Sequence, residues 1–172
     1  MNPQPAPQPI EGYLAIDPGI TGALVIVNSK GAYCDHLLMP SIKVGSKSRV
    51  NGAAIAAWLK DWPGLSHAFL EQVHSMPKDG ASRAFSFGHS CGLVEGVLTG
   101  AGIPLTLVTP QAWKKHMGLI GKDKDAARSR AIQLFPGLRE LDTKAKGQAV
   151  SDALLIGLYG VAKKTTHPLK LV

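Results

Sequence analysis

Short apolar runs fill the first forty residues of this chain, and longer helical patterns dominate its second half. Residues 13–17 (YLAID) and 22–28 (GALVIVN) are almost continuously apolar, as strands buried on both faces are, and 32–38 (AYCDHLL) follows after Ser29-Lys30-Gly31. Connections this short require antiparallel hairpins. Residues 41–49 are polar and basic and read as a loop, whereas 50–62 carry Ile55, Leu59 and Trp62 at helical spacing before Pro63-Gly64. A fourth strand spans 67–73 and a fifth 104–108 (PLTLV), separated by a long helix over 82–101. The apolar stripe of that helix is Ala84, Phe87, Cys91, Val94, Leu98 and Ala101. Thr109-Pro110 supplies an N-cap and a first-turn proline for a short helix through His116. Asp123 or Asp125 caps a helix that runs to about Phe135, ahead of Pro136-Gly137, and a last helix covers about 149–163. A hairpin meander leading into βα crossovers predicts an α/β fold: a mixed five-stranded sheet flanked by helices.

The long helix over 82–101 carries Gly88, Gly92, Gly96 and Gly100 at four-residue intervals. Each glycine costs a helix about 1 kcal/mol relative to alanine, so a repeated face of them implies close approach of another backbone. That backbone belongs either to the same fold, the simpler expectation, or to a second copy of the chain.

At 172 residues the chain suits one domain with a full core, and no internal repeat or second-domain boundary is visible. Residues 1–12 hold the proline-rich NPQPAPQP, which lacks the basic and apolar regions of a signal peptide and is expected to be a disordered lead-in. The domain then spans 13–172. Cys34 and Cys91 are too few for a disulfide framework or a zinc site, and they read as small buried hydrophobes in a reducing compartment. No apolar run is long enough to span a bilayer. The formal net charge is +7, and the excess is uneven. Lys114, Lys115, Lys122, Lys124, Arg128 and Arg130 crowd one stretch against Asp123 and Asp125, a band suited to a polyanion. Most such runs are merely solvated faces, so the band gains weight only from what lies beside it.

What lies beside it is a set of acids on apolar elements. Asp17 ends the first strand at Asp17-Pro18-Gly19, Glu71 ends the apolar run HAFLE, and Asp152 interrupts the apolar helix SDALLIGLYGVA. A single acid after a strand is ordinarily a turn former. Three carboxylates on three buried elements are costly unless a cation compensates them. If the first and fourth strands lie side by side and parallel, Asp17 and Glu71 meet at their carboxyl ends, and Asp152 falls in the first turn of the last helix, where the dipole tolerates it. Oxygen ligands alone select a hard cation, Mg²⁺ or Mn²⁺. A pair of such ions suits phosphodiester cleavage, with the basic band on the nucleic-acid backbone.

The ordered set IDPGITGA, LEQVHSMP, TPQAWKK with GKDKDAARSRA, and SDALLIGLYG resembles the RuvC-type Holliday-junction resolvases, the phage and bacterial RuvC-like branch of the ribonuclease H superfamily, over about residues 13–163. The resemblance implies a ribonuclease H-like fold, a homodimer, a cytoplasmic setting in a bacterial or phage-infected cell, and metal-dependent symmetrical nicking of four-way or otherwise branched DNA. It places Asp17, Glu71 and Asp152 on three of the four acidic positions of the family. The fourth, one helical turn before the last acid, is Gln148 or Ala149 here. Gln148 is the candidate ligand, through its carbonyl oxygen or a held water, and Asp142 reaches the site only if the intervening loop folds back. His74 or Met76 falls where the family reaches into the junction, with Lys78 and Arg83 on nearby phosphates, and Lys114 and Lys124 fall near basic residues used beside the scissile phosphate. Trp113 reads as core, and His36, His67, His89, His116 and His167 share no metal-ligand spacing. No small-molecule substrate or membrane is implied. Two other readings remain: a ribonuclease H-fold nuclease for RNA, and a junction-binding protein that has lost catalysis. An actin-like ATPase would need two such domains.

Overall fold

The computed structural model describes residues 11–72 and 80–166; His74, Met76, Lys78, His167 and most of the proline-rich lead-in therefore lie outside the described residues. The main sheet contains β1 (Gly12–Ile16), β2 (Ala23–Asn28), β3 (Tyr33–Leu38), β6 (Leu65–Glu71) and β7 (Leu105–Val108), in the spatial order β3-β2-β1-β6-β7. β1–β2 and β2–β3 pair antiparallel, whereas β1–β6 and β6–β7 pair parallel. This is the mixed sheet expected from the hydrophobic pattern, with strand ends within about two residues.

Alternation along the three central strands sorts their side chains into two cores. Leu14, Ile16, Leu24, Ile26, Ala68 and Leu70 face α1 (Gly52–Leu59) and α2 (Ala81–Gly100). Ala15, Val25, Val27 and Phe69 face the other layer, built from α3 (Pro110–His116), α4 (Ala126–Leu134) and α5 (Lys144–Thr166). Burial on both faces explains why β1 and β2 read as unbroken apolar runs. The long helix α5 lies close against the sheet because it carries glycine where it crosses the strands. A methyl group at Gly160 would sit 2.3 Å from the Phe69 ring, and one at Gly157 would sit 3.2 Å from the Ala15 side chain.

Four expectations are corrected. Residues 41–49 are not a loop: β4 (Ser41–Val44) and β5 (Lys47–Val50) form a separate two-stranded antiparallel sheet. Its turn is Gly45-Ser46, with Gly45 at φ +61°, the positive value a tight hairpin turn requires. The last helix begins at Lys144 rather than near 149, because Lys, Ala and Gln favour helix over 144–149. Gly147 sits there because a methyl group would lie 2.6 Å from the Leu141 carbonyl oxygen. The α2 glycines do not pack against the described residues of the fold, among which a methyl group at Gly88, Gly92, Gly96 or Gly100 would meet nothing within 4 Å. Finally, Cys34 and Cys91 are half-buried free thiols rather than core residues. Among the described residues no helix is long and apolar enough to cross a membrane.

Candidate active site

The parallel register between β1 and β6 pairs Ile16 with Leu70, so Asp17 and Glu71 follow at neighbouring strand ends. Asp17 is fixed by its own turn, where Gly19 N–H donates to Oδ1 at 3.1 Å. Gly22 closes that turn through a 2.8 Å bond from its N–H to the Gly19 carbonyl. Only glycine fits at 22, because a methyl group there would sit 2.2 Å from the Asp17 carbonyl oxygen and 2.8 Å from its carboxyl carbon.

Glu71 is held from the next crossover. Thr109 at the end of β7 caps α3 by accepting from Ala112 N–H, and Pro110 opens the helix, which sets Trp113 one turn in. The Trp113 indole is 1% exposed, and its Nε1–H donates to Glu71 Oε1 at 2.8 Å. Trp113 is thus core, as expected, and also a carboxylate holder, a role its apolar character hid. The available signal was its place one turn after a Thr-Pro helix start that follows a strand adjacent to β6.

Asp152 projects from α5 beyond the second turn of the helix, not from its first, so the N-terminal dipole is not its support. The support comes instead from Gln148, one turn earlier, whose Nε2 donates to Asp152 Oδ1 at 3.0 Å. The same amide leaves Gln148 Oε1 buried without a hydrogen-bond partner among the described residues. A buried carbonyl oxygen beside a carboxylate is costly unless something donates to it or is ligated by it.

The three acids sense one another. Burial pushes Glu71 from its ordinary 4.5 to about 7; the Trp113 bond opposes the rise, the Asp17 and Asp152 carboxylates add to it, and Lys114 opposes it. Burial likewise lifts Asp152 from 3.8 to about 6, opposed by the Gln148 bond, reinforced by Asp17 and relieved by Lys114 and Lys124. Asp17 is raised by burial against the pull of the Gly19 N–H. Three raised carboxylates of one charge form a site that wants a positive partner. A cleft of about 530 Å³ opens there, lined by Asp17, Thr21, Lys124, Gln148 and Asp152. Among the described residues no three acids, histidines or cysteines converge into one coordination sphere. Oxygen donors with an orphaned amide oxygen beside them nonetheless have the chemistry that a hard cation takes.

Lys114, Lys115, Lys122 and Lys124 are all exposed. Lys114 Nζ lies 5.3 Å from the centroid of the Trp113 ring, and Lys124 sits in the cleft wall. Arg128 turns inward, its Nη1 donating to the Leu141 carbonyl at 3.1 Å, so it braces α4 against the 3-10 turn Arg139–Leu141. Asp142 is exposed at the end of that turn, away from the cleft lining. Arg83 lies exposed in the first turn of α2.

No protein-family profile matches the chain, and no curated protein does. Among solved structures, RuvC of T. thermophilus in complex with Holliday junction substrate aligns at a TM-score of 0.62 and 18% identity, over 90% of this chain and 95% of that one. The Thermus thermophilus RuvC structure aligns at 0.57 and 18%, over 90% and 96%. The chain therefore has the RuvC-like form of the ribonuclease H fold.

Proposed function

We propose that this protein is a metal-dependent, structure-selective DNA endonuclease that nicks four-way or other branched DNA, acting as a homodimer in a bacterial or phage-infected cytoplasm. The observation that supports the reading is the pair Asp17 and Glu71 at the carboxyl ends of the adjacent parallel strands β1 and β6, with Asp152 of α5 near enough to add to the rise of Glu71 and each of the three raised in pKa by burial. The fold shared with T. thermophilus RuvC, solved with a Holliday junction, supports the choice of substrate.

Asp17, Glu71 and Asp152, with Gln148 Oε1, would hold Mg²⁺ or Mn²⁺, which when bound supplies Lewis acidity toward a phosphodiester and neutralises charge on the leaving oxygen. The chain's own residues do the rest. Trp113 keeps one Glu71 oxygen engaged and leaves the other available, and Gln148 orients Asp152 in the same way. Lys114 and Lys124 bring positive charge to the acids from the solvent side, where a phosphate would approach. Lys115, Lys122 and Arg83 extend the DNA contact in this reading, with His74 and Lys78 assigned to it by the sequence resemblance alone, whereas Arg128 serves mainly as a brace. The deciding experiment incubates labelled four-way, three-way and linear DNA with the protein in Mg²⁺, Mn²⁺ or EDTA. Cleavage that needs metal and prefers branched substrates is expected; metal-dependent cleavage of RNA alone would replace the substrate assignment.

A second reading, a junction-binding protein without catalysis, is favoured by Gln148 standing where the resemblance places an acid. Tight junction binding with no cleavage in any divalent ion selects it.

A further inference from the structure

We propose that the groove between the β4–β5 hairpin and the first turns of α2 is a second nucleic-acid track, which carries the strand leaving the carboxylate site with Lys47 and Arg49 on its phosphates. This rests on the nuclease reading above.

The hairpin segment SIKVGSKSRV contains Lys43, Lys47 and Arg49 and no acid. Its register pairs Val44 with Lys47 and Ile42 with Arg49, which puts Lys47 and Arg49 on one face of the ribbon. Two residues along a strand separate them by roughly 7 Å, a spacing suited to successive phosphates of an extended strand. The ribbon is anchored to α2 near its turn and closed on itself at its base. Lys47 Nζ donates to Ser82 Oγ at 3.0 Å, and at the hairpin base Asn51 N–H donates to the Pro40 carbonyl at 2.8 Å. Just before that base, Met39 N–H donates to the Gly22 carbonyl at 2.9 Å, so the hairpin hangs from the same turn that fixes Asp17.

A groove of about 640 Å³ runs between these elements, lined by Ile20, Lys47, Ser48, Ser82, Arg83 and Ser86. A smaller adjoining hollow is walled by Lys47, Arg49, Phe85 and His89. Among the described residues no acid lines either one. Ile20 borders this groove while its neighbour Thr21 borders the carboxylate cleft, so one turn is the shared wall of both. Phe85 is 74% exposed at the edge of the smaller hollow. Cations for phosphates, serine hydroxyls as donors and an exposed ring for a base make up the chemistry of single-strand binding without sequence preference. A fully solvated charge run lacks this concavity, this ring and the anchoring bond to Ser82.

The test is fluorescence anisotropy of the full chain in EDTA, so that cleavage plays no role, with a labelled four-way junction and a labelled linear duplex over a salt series. The Lys47→Ala/Arg49→Ala variant should bind the junction about tenfold more weakly, with a salt slope lower by about two, one for each phosphate no longer neutralised. Arg49→Gln, which leaves the Lys47–Ser82 bond intact, should lower the slope by about one. Phe85→Ala should weaken junction binding more than duplex binding. Thermal melts confirm that each variant is folded. Unchanged affinity and slope in the Lys47/Arg49 variant, with a loss in Lys114→Ala/Lys124→Ala, would overturn the track while leaving the nuclease reading standing. Wild-type protein that binds neither DNA would instead overturn that reading. Conversion to monomer by Phe85→Ala, seen in sedimentation, would assign the ring to a protein contact and remove it from the track.

Discussion

Asp17, Glu71 and Asp152 are the residues on which most turns, and their electrostatics make two separable claims. Asp17→Asn, Glu71→Gln and Asp152→Asn should each reduce nicking by at least about a hundredfold while leaving junction affinity nearly unchanged, because affinity comes from cations on phosphates. Wild-type activity in any one of them removes that residue from the site. The second claim concerns the protein without metal. A carboxyl whose pKa is raised by folding holds its proton in the folded state after the unfolded chain has released it, so stability falls as pH rises across that interval. Glu71 and Asp152, raised from 4.5 and 3.8 to about 7 and about 6, place the loss between roughly pH 4 and pH 7. In EDTA the neutral variants should melt higher than wild type at pH 7.5 and show a flatter pH profile. Each kcal/mol of relieved strain is worth about 2–4 °C in a chain of this size. Equal melting temperatures at pH 7.5 would mean that the acids are already compensated by Lys114 and Lys124. Trp113→Phe keeps the core filled but removes the donor to Glu71, and a measurable drop in nicking at unchanged DNA affinity is expected.

Among the elements, the glycines separate two roles that the sequence presents alike. Gly160→Ala must displace the buried Phe69 ring and should destabilise by about 1–3 kcal/mol, whereas Gly92→Ala adds a methyl group in open space and should stabilise the isolated chain by about 1 kcal/mol. Paired thermal melts check both signs. Sequence spacing showed the α2 face because four glycines recur on one period, but it could not say that the face points outward. It passed over Gly147, Gly157 and Gly160 because their neighbours, Leu141, Ala15 and Phe69, are set by the tertiary fold rather than by the helix period. The sheet was legible because β1, β2 and β6 are buried on both sides and their apolar runs admit little else. The β4–β5 hairpin was legible in principle, as alternating residues around Gly45-Ser46, but its exposed and basic side chains hid the strand signal. The start of α5 was missed because Lys144 to Gln148 carry no apolar stripe, and the helix there is sustained by backbone propensity and by Gly147 against Leu141.

At the scale of the whole molecule, symmetrical cutting requires two sites related by a two-fold axis, and one chain offers one carboxylate cluster among its described residues. A C₂ contact uses the same patch on both subunits, and the exposed face of α2 meets the first requirement of such a patch. Gly88, Gly92, Gly96 and Gly100 leave open space where side chains would stand, and Gly96 and Gly100 border a groove of about 690 Å³ with Leu59, Trp62 and Val97. The outward position of these glycines also decides what substitution there can do. A methyl group at 92 or 96 meets nothing within 4 Å among the described residues, so a side chain there starts in open space. Gly92→Leu/Gly96→Leu should therefore keep or raise the melting temperature of the isolated chain, and sedimentation velocity should show loss of the dimer. With the dimer gone, a four-way junction carried in a supercoiled plasmid should yield nicked circles before linear product, because two nicks are no longer made within the lifetime of one complex. Wild-type protein should give linear product directly. A double variant that sediments as a dimer and still makes paired cuts would move the two-fold contact off α2, and the four glycines would then stand on a face with no packing partner at all.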